Sequence, residues 1–230
     1  SKKVDKDSLF VAINGYNTDG HNFIIEAINN GASIIVCEVL PKDFKKLKSV
    51  FVKVTCSKSA LSIISSNFYD NPSSKIDLIG ITGTNGKTTI SSLLFDLFNR
   101  FSINSGLIST INIKYGDQDI DSTNTTPDSK SINYHLAEMI KSNVKICFME
   151  VSSHGIDQKR IEGLSFKGVI FTNLTHDHID YHKSFANYRD TKKKIFDSLP
   201  NSSFSLINSD DRNSKYIIQN SKSKKYTYGI

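Results

Sequence analysis

The chain has 230 residues, 38% of them hydrophobic and 14 of them phenylalanine, which is enough to bury the core of one large or two small domains. This composition excludes disorder over most of the chain, and no apolar run approaches the length of a membrane span. The net charge of +6 comes mostly from lysine, and much of it lies in short runs, which suit solvated helix faces or anionic ligands. No arginine-rich or aromatic-interleaved patch favours nucleic acid over phosphorylated small molecules.

The first third of the chain predicts a small mixed α/β unit. Apolar β-type runs alternate with helical spacing, and Gly31 follows the first helix as a stop signal. We expect a linker at residues 69–75, where Asn-Pro and two serines stand together. The predicted strands are 8–13, 32–39 and 51–55, and the predicted helices are 23–30 and 58–68.

The remainder predicts a mainly parallel sheet covered by helices, because buried strands alternate with helices. The first helix, 88–100, carries Leu93, Leu94, Leu97 and Phe98 on one side. Asp128 can cap the second helix, which carries Ile132, Leu136, Met139 and Ile140. The predicted strands are 75–82, 144–151, 168–175 and 203–208. Ligands of such folds bind at the carboxyl ends of the strands.

The stretch GITGTNGKTTIS, residues 80–91, indicates a phosphate-binding loop. A strand, a glycine-rich turn and a helix opening with GKTT place free backbone N–H groups at a positive helix end. Lys87 would reach the terminal phosphates, and the Thr88 hydroxyl would be a Mg²⁺ ligand. The alternative is a glycine turn followed by a chance Lys-Thr pair.

Two further polar clusters follow predicted strands. Glu150 ends one strand and could hold Mg²⁺, or it could simply pair with a lysine. His154 is ambiguous, because a loop histidine is more often a hydrogen-bonding residue than a catalyst.

The run HDHIDYH, residues 176–182, indicates metal or phosphate binding, with zinc as a second choice and a helix-capping surface loop as the alternative. The helix YRDTKKKIFDSL after it reads as a solvated lysine face.

Three cysteines, Cys37, Cys56 and Cys147, stand far apart with no metal or redox spacing. Cys37 and Cys147 lie in apolar runs, so we expect buried thiols and a reducing cytoplasm. We expect no signal peptide, because the first residues lack its apolar run.

Taken together, the motifs resemble those of the Mur ligases. They are TGTNGKTT, NTTP at 124–127, MEVSSHG, FTNLTHDHIDYH and the pair Tyr188 and Lys192, in the order of that family. The segment SLFVAINGYNTDGHNFI resembles the family's uridine-nucleotide-binding domain. The NTTPD and EVSSHG motifs favour the members that act on UDP-MurNAc-L-Ala-D-Glu over folylpolyglutamate synthetases, whose loop typically reads GKGS.

The resemblance implies a role for each matching residue. ATP would lie on Gly83, Thr84, Asn85, Gly86, Lys87, Thr88 and Thr89. Thr88 and Glu150 would hold one Mg²⁺, and His178, Glu150 and a carbamylated Lys192 would hold a second. The catalytic residues would be Lys87, Glu150, His178 and Lys192. The muramoyl-peptide substrate would contact Asn124, Thr125, Thr126, Ser152, Gln158 and Arg160, and the uridine nucleotide would contact Ser1, Tyr16, Asn17 and Thr18.

The implied activity is ATP-dependent amide-bond formation in peptidoglycan biosynthesis. An acyl phosphate would form on UDP-MurNAc-L-Ala-D-Glu, and the amine of L-lysine or meso-diaminopimelate would then attack it. Residues 1–72 would bind the uridine nucleotide, and 73–230 would form an incomplete ATP-binding domain. The resemblance also implies a segment before Ser1 and a C-terminal ligase domain outside this chain, so we expect a fragment of a monomeric cytoplasmic enzyme, inactive alone.

Two alternatives stay open at this point. The chain could come from another Mur ligase or from a ligase similar to folylpolyglutamate synthetase. It could also be a truncated product that binds a nucleotide without catalysis.

Overall fold

The computed structural model describes residues 4–15 and 18–230. Contacts divide the chain into two compact units, Ser1–Ile64 and Ser65–Ile230. The elements of the first unit, in chain order, are β1 (Ser8–Val11), α1 (Ile24–Asn29), β2 (Ala32–Cys37), β3 (Val50–Lys53) and α2 (Ser57–Phe68), whose last turn belongs to the second unit. Short 3-10 helices lie at Gly20–Phe23 and Phe44–Lys46.

The first unit contains a parallel sheet in the order β1-β2-β3. Alternate side chains of β2 meet α1 in a small core that includes Ala12, Ile24, Ala27 and Ile35. Gly31 ends the helix with φ of +105°, where a Cβ would lie 2.9 Å from the Lys6 Cα atom. The observed bounds of the elements confirm the strands and helices predicted for this unit, with shifts of a few residues.

The second unit begins with a short 3-10 helix at Pro72–Ser74. Its remaining elements are β4 (Asp77–Thr82), α3 (Lys87–Arg100), β5 (Ser105–Ile108), β6 (Asn112–Tyr115), β7 (Gln118–Asp121), α4 (Ser129–Lys141), β8 (Ile146–Glu150), α5 (Ser153–Asp157), β9 (Gly168–Phe171), α6 (Ile179–His182), α7 (Phe185–Asp197), β10 (Phe204–Asn208), α8 (Ser214–Ile217) and β11 (Lys224–Tyr228).

These strands form one sheet of eight in the order β11-β10-β9-β4-β8-β5-β6-β7. Every pair from β11 to β5 is parallel, and only β5-β6 and β6-β7 are antiparallel. The prediction of a mainly parallel sheet is confirmed. The short strands β5, β6, β7 and β11 were not predicted.

Helices cover both faces of this sheet, because apolar side chains of its central strands point alternately to one face and to the other. Leu78, Cys147 and Met149 face a core that contains Ile132, Leu136 and Met139 of α4 together with Ile195 and Phe196 of α7. Ile79, Ile81 and Phe148 face the opposite core, which α3 covers. Ile132, Leu136 and Met139 of the predicted second helix are buried, and the predicted Asp128 cap is confirmed.

The apolar side predicted for α3 is covered only in part. Leu93 and Leu97 are 62% and 45% exposed, whereas Ile90, Leu94 and Phe98 pack on the sheet. These three residues are spaced by four, so they share one helix face, and Leu93 and Leu97 lie beside it.

The predicted linker at 69–75 is an ordered segment of the second unit. Pro72 and Ser73 are buried, and the Ser73 hydroxyl accepts a hydrogen bond from the Ser165 N–H at 3.0 Å. The division between the units falls earlier, inside α2. None of the helices in the described part of the chain is long and apolar enough to cross a bilayer.

Candidate active site

The carboxyl ends of β4, β8 and β9 meet at one edge of the sheet, because these three strands are parallel neighbours. Strand β4 lies between the other two, and the chain leaves it for β5 on one side and later reaches β9 on the other. This change of direction marks the place where open α/β sheets bind ligands. The segments that follow the three strands, residues 83–89, 151–155 and 172–182, carry three of the polar motifs.

The loop between β4 and α3 is braced by the end of β9. The Thr84 N–H donates to the Asn173 carbonyl oxygen at 2.8 Å, and the Asn85 N–H donates to the Asn173 side-chain oxygen at 3.0 Å. In return, the Thr172 hydroxyl donates to the Asn85 carbonyl at 2.6 Å. Gly83 has φ of +153°, and a Cβ there would lie 1.9 Å from Thr172 Oγ1. The close approach of the two segments therefore requires glycine at position 83.

Helix α3 begins directly after this loop, and its N-cap residue, Gly86, has φ of +83° and no capping side chain. The first N–H groups of a helix have no partner within the helix, and they lie at its positive end. Such an end binds phosphate. The Lys87 ammonium turns back over the loop and donates to the carbonyl oxygens of Gly83 and Thr84 at 2.9 and 2.8 Å. Burial lowers the pKa of Lys87, while Glu150 and Asp177 act in the opposite direction.

Glu150 ends β8 and is fully buried. Its Oε2 atom accepts hydrogen bonds from the hydroxyls of Thr88 and Thr110, both at 3.0 Å, and its Oε1 atom accepts one from the Thr110 N–H at 2.9 Å. The Thr88 hydroxyl and the Glu150 carboxylate are hard oxygen ligands of the kind that Mg²⁺ prefers. The pair thus fits a magnesium site in its donor chemistry.

Lys192 lies on α7 and is 1% exposed. Its Nζ atom donates to the Gly83 carbonyl oxygen at 2.9 Å, and it lies 4.9 Å from the centre of the Tyr188 ring. Burial, and to a lesser degree the nearby Lys87, hold the pKa of Lys192 well below its usual value. The solvated lysine face expected for this helix is therefore wrong at Lys192, and also at Lys193, which is buried against Asp197.

A second group of polar residues forms around the end of β8. The Thr126 hydroxyl lies 3.0 Å from the Glu150 carbonyl oxygen and 3.1 Å from Ser152 Oγ. The Arg160 guanidinium donates to the Thr126 carbonyl at 2.5 Å and to the Gln158 side-chain oxygen at 2.7 Å. This network fixes the segment that contains Thr126 against the helix α5 that Ser152 caps.

A cavity of about 250 Å³ lies between the phosphate loop and the polar residues around the end of β8. It is lined by Lys87, Asn124, Thr125, Thr126, Ser152, His154, Gln158, Arg160 and His178. Two of these side chains are cationic, and none of the described residues that line the cavity is acidic. Such a lining attracts an anion and can hold a carboxylate next to the phosphate loop. A larger cavity of about 570 Å³ at the opposite end of the sheet, near Asp77 and Lys167, contains none of the motif residues.

Histidines 154, 178 and 182 pack around one another beside this cavity. The His154 ring centre lies 4.8 Å from that of His178 and 5.8 Å from that of His182. Burial, followed by the neighbouring His178, lowers the pKa of His154. Across residues 4–15 and 18–230, no three His, Cys, Asp or Glu side chains are arranged to hold a metal ion. A zinc site, our second choice for this run, therefore has no support in the described residues.

The comparisons with known proteins identify the family. The Mur ligase middle domain matches residues 81–230, and the Mur ligase family catalytic domain matches residues 1–69. The chain belongs to the Mur ligase family. It is 50% identical over 230 residues to the UDP-N-acetylmuramoyl-L-alanyl-D-glutamate–2,6-diaminopimelate ligase of Cytophaga hutchinsonii, a match that covers 100% of this chain and 47% of that relative. The chain spans about half the length of the curated relatives that it matches.

Solved structures agree with this Mur ligase assignment. A structure of a UDP-N-acetylmuramoyl-L-alanyl-D-glutamate–2,6-diaminopimelate ligase is similar with a TM-score of 0.79 and 25% identity, covering 99% of this chain and 47% of that one. The MurF ligase of Thermotoga maritima in complex with ADP shares the fold, with a TM-score of 0.62 and 17% identity over 99% of this chain and 48% of that one.

Most of the site residues predicted for this Mur ligase chain lie in or beside the cavity. Thr88 contacts Glu150, and Lys192 contacts Gly83 of the phosphate loop, whereas Thr89 is exposed on α3. Thr18 is exposed in the first unit, where its carbonyl oxygen accepts a hydrogen bond from Gly15. Ser1, Tyr16 and Asn17 lie outside the described residues. The sequence analysis missed Thr110, because a single threonine between two short strands belongs to no recognisable pattern.

Proposed function

We propose that the full-length protein containing this chain is an ATP-dependent ligase that adds a diamino acid to UDP-MurNAc-L-Ala-D-Glu in peptidoglycan biosynthesis. The observation that carries the proposal is the shared cavity, in which Lys87 of the phosphate loop and Arg160 of the second polar group line the same space. A carboxylate held by Arg160 would face the terminal phosphate of a nucleotide held by Lys87. That is the arrangement needed to phosphorylate a carboxylate.

ATP is the proposed phosphate donor. The backbone from Gly83 to Thr89 would hold its phosphates at the positive end of α3, and the Lys87 ammonium would leave the Gly83 and Thr84 carbonyls to reach them. Lys87 would stabilise the negative charge of the transferring phosphoryl group. The acceptor carboxylate would attack the γ-phosphorus as ADP leaves, which yields an acyl phosphate that the amine then attacks with release of phosphate.

Thr88 and Glu150 would hold one Mg²⁺, and His178, Glu150 and carbamylated Lys192 would hold a second. These ions supply charge neutralisation at the phosphates. An ammonium group cannot be a metal ligand, so the second site depends on the modification of Lys192. The lowered pKa of Lys192 supports that modification, because the neutral amine is the form that adds to the carbon of CO₂, loses a proton and leaves a carbamate with two oxygen ligands.

The acceptor would lie on Asn124, Thr125, Thr126, Ser152, Gln158 and Arg160. Ser1, Tyr16, Asn17 and Thr18 would bind the uridine nucleotide, with residues 1–72 as the domain for that ligand and 73–230 as the ATP-binding domain. The proposed amino acid is 2,6-diaminopimelate, which the names of relatives 50% and 48% identical to this chain contain. We propose a monomer that works in the cytoplasm.

The proposal is tested with the full-length protein, ATP, Mg²⁺, the UDP-MurNAc-dipeptide and 2,6-diaminopimelate. We expect phosphate release and one new amide product, and a loss of about 10²- to 10³-fold or more in rate for Lys87→Ala. Lys130→Ala, at an exposed position on α4, is the matched control and keeps the wild-type rate. Unchanged ligation by Lys87→Ala would refute the assignment.

The same assay separates the alternatives. Phosphate release with L-lysine in place of diaminopimelate would change only which diamino acid is added. Phosphate release with a dipeptide in place of diaminopimelate, or with a folate in place of the UDP-MurNAc-dipeptide, would assign another Mur ligase or a ligase similar to folylpolyglutamate synthetase. Nucleotide binding without phosphate release from any acceptor would assign a binding protein without catalysis.

Carbamylation has its own test. We expect Lys192→Ala to lose activity and to recover part of it when short carboxylic acids are added, because they replace the missing oxygen ligands. A Lys192→Ala protein that is fully active without such acids would show that no carbamate is needed.

A further inference from the structure

The Glu150 carboxylate is buried, and one residue that the sequence analysis missed provides most of its hydrogen bonds. Three donors contact this carboxylate in the described structure, and Thr110 supplies two of them, its N–H and its hydroxyl. A buried charge is costly unless it is hydrogen-bonded. Thr110 therefore holds both oxygens of the Glu150 carboxylate, and it shares Oε2 with Thr88.

The position of Thr110 is fixed by a tight turn between β5 and β6. The Ser109 N–H and hydroxyl both donate to the Asn112 carbonyl, at 2.9 and 2.8 Å. Ser109 is 1% exposed, so this turn is anchored in the interior. The Thr110 hydroxyl is thus presented from a rigid support, as is required of a residue that orients another group.

The same hydroxyl also contacts Thr125, which lines the cavity. Thr110 Oγ1 lies 3.0 Å from Glu150 Oε2 and 3.1 Å from Thr125 Oγ1. A hydroxyl has a single hydrogen, so it can donate to only one of these oxygens at a time. The hydrogen bond to a carboxylate is the stronger of the two as long as the negative charge of Glu150 is not neutralised.

We propose that Thr110 is a positioning residue that couples the occupancy of the metal site at Glu150 to the orientation of Thr125 in the acceptor cavity. When a divalent cation neutralises Glu150, the Thr110 hydrogen turns to Thr125. The Thr125 hydroxyl then points its own hydrogen into the cavity, towards the anionic acceptor. This inference rests on the proposed function, because it takes Glu150 as a metal ligand and Thr125 as an acceptor contact.

Coupling between two sites is reciprocal, so it can be measured as a ratio of affinities. The affinity of the full-length protein for UDP-MurNAc-L-Ala-D-Glu is measured by calorimetry, with and without Mg²⁺ and a non-hydrolysable ATP analogue. One hydrogen bond corresponds to a ratio of about 2- to 12-fold. We expect the wild type and Thr110→Ser to show this ratio, and Thr110→Val, which keeps the N–H donor to Glu150, to lose it.

Thr125→Val keeps all three hydrogen bonds to Glu150, so it provides a test that does not disturb the buried carboxylate. We expect the acceptor affinity of this variant to be the same with and without Mg²⁺ and the ATP analogue. The double variant Thr110→Val/Thr125→Val should reduce the affinity ratio no further than either single variant. Thr227→Val, at an exposed position on β11, is the control and keeps the wild-type ratio.

The outcomes distinguish the two proposals. A wild type that binds neither the ATP analogue nor the acceptor contradicts the proposed function. A wild type that binds both with no change in acceptor affinity, or a Thr125→Val protein that keeps the full ratio, overturns the coupling and leaves the proposed function intact.

Discussion

The Lys192 Nζ atom donates a hydrogen bond to the carbonyl oxygen of Gly83, which lies 109 residues earlier in the chain, at 2.9 Å. The same oxygen accepts a hydrogen bond from Lys87 at 2.9 Å. Two lysines therefore converge on one acceptor beneath the phosphate loop, and one of them is almost fully buried. A buried site holds such a group most easily as the neutral amine.

Lys192 should make folding stability depend on pH. Its pKa in the folded protein is lowered from the usual 10.5, so between these two values the unfolded chain binds a proton that the folded chain does not. The free energy of unfolding should therefore rise with pH through that window, by more in the wild type than in Lys192→Met. Urea unfolding of the full-length protein in CO₂-free buffer from pH 7 to 10 measures this.

Lys194→Met is the matched control, because Lys194 lies on the same helix with its side chain exposed. It should follow the wild-type dependence on pH. A constant difference between wild type and Lys192→Met across the pH range would contradict the lowered pKa.

The two glycines of the phosphate loop should differ in their tolerance of alanine. Both have positive φ, which strains an alanine, and at Gly86 the strain is about 1–2 kcal/mol. At Gly83 the new Cβ would also lie 1.9 Å from Thr172 Oγ1, whereas at Gly86 it would have no atom within 4 Å. We expect Gly83→Ala to lose nucleotide binding and more stability than Gly86→Ala. Thermal unfolding and titration with an ATP analogue measure both, and equal effects would argue against the close approach of residues 83 and 172.

Helix α4 depends on its N-terminal cap. The Asp128 side chain accepts a hydrogen bond from the Ser131 N–H at 3.0 Å. We expect Asp128→Ala to lower the free energy of unfolding by about 1 kcal/mol, and Asp128→Asn, which keeps the acceptor, by much less. Denaturant unfolding measures the difference. Similar losses in both variants would show that the cap contributes little.

The three cysteines should react at different rates. Cys37 and Cys147 are fully buried, whereas Cys56 is half-buried. Hydrogen bonds from Ser59 lower the pKa of Cys56, while burial raises the pKa of Cys147. Because the thiolate is the reactive form, we expect a disulfide reagent at pH 8 to label Cys56 first and the other two after unfolding. Cys56→Ser should remove the fast phase, and a fast phase that persists would place another thiol at the surface.

The sequence predicted the parts of the fold in which apolar residues form a clear pattern. Strands β4, β8 and β9 are runs of apolar residues, and α4 shows helical spacing together with a capping residue. Strand β7, with the sequence QDID and mostly exposed, has no apolar pattern and becomes a strand only by pairing with β6. On α3, apolar residues occur on two adjacent faces, so the sheet decides that Leu94 is covered and Leu93 is not.

In the candidate site too, local sequence patterns predicted some residues and the fold alone revealed others. Lys87 and Glu150 were predicted because a phosphate loop and a strand-end carboxylate have recognisable positions in the sequence. The three-dimensional structure adds Thr110, which contacts Glu150 across 40 residues, and Asn173, which braces the loop across 88. Contacts of this kind depend on the order of strands in the sheet. No local pattern records that order.

The bracing of the phosphate loop also has a consequence for the order of folding. Asn85 is held by a residue 88 positions away, Thr84 contacts the Tyr188 hydroxyl 104 positions away, and Gly83 contacts Lys192 across 109. A peptide containing only β4 and α3 lacks all three restraints, and the large chain closures they need are slow steps. The loop therefore reaches its final geometry only after β9 and α7 have docked, so the onset of nucleotide binding during refolding would mark the moment at which these elements assemble.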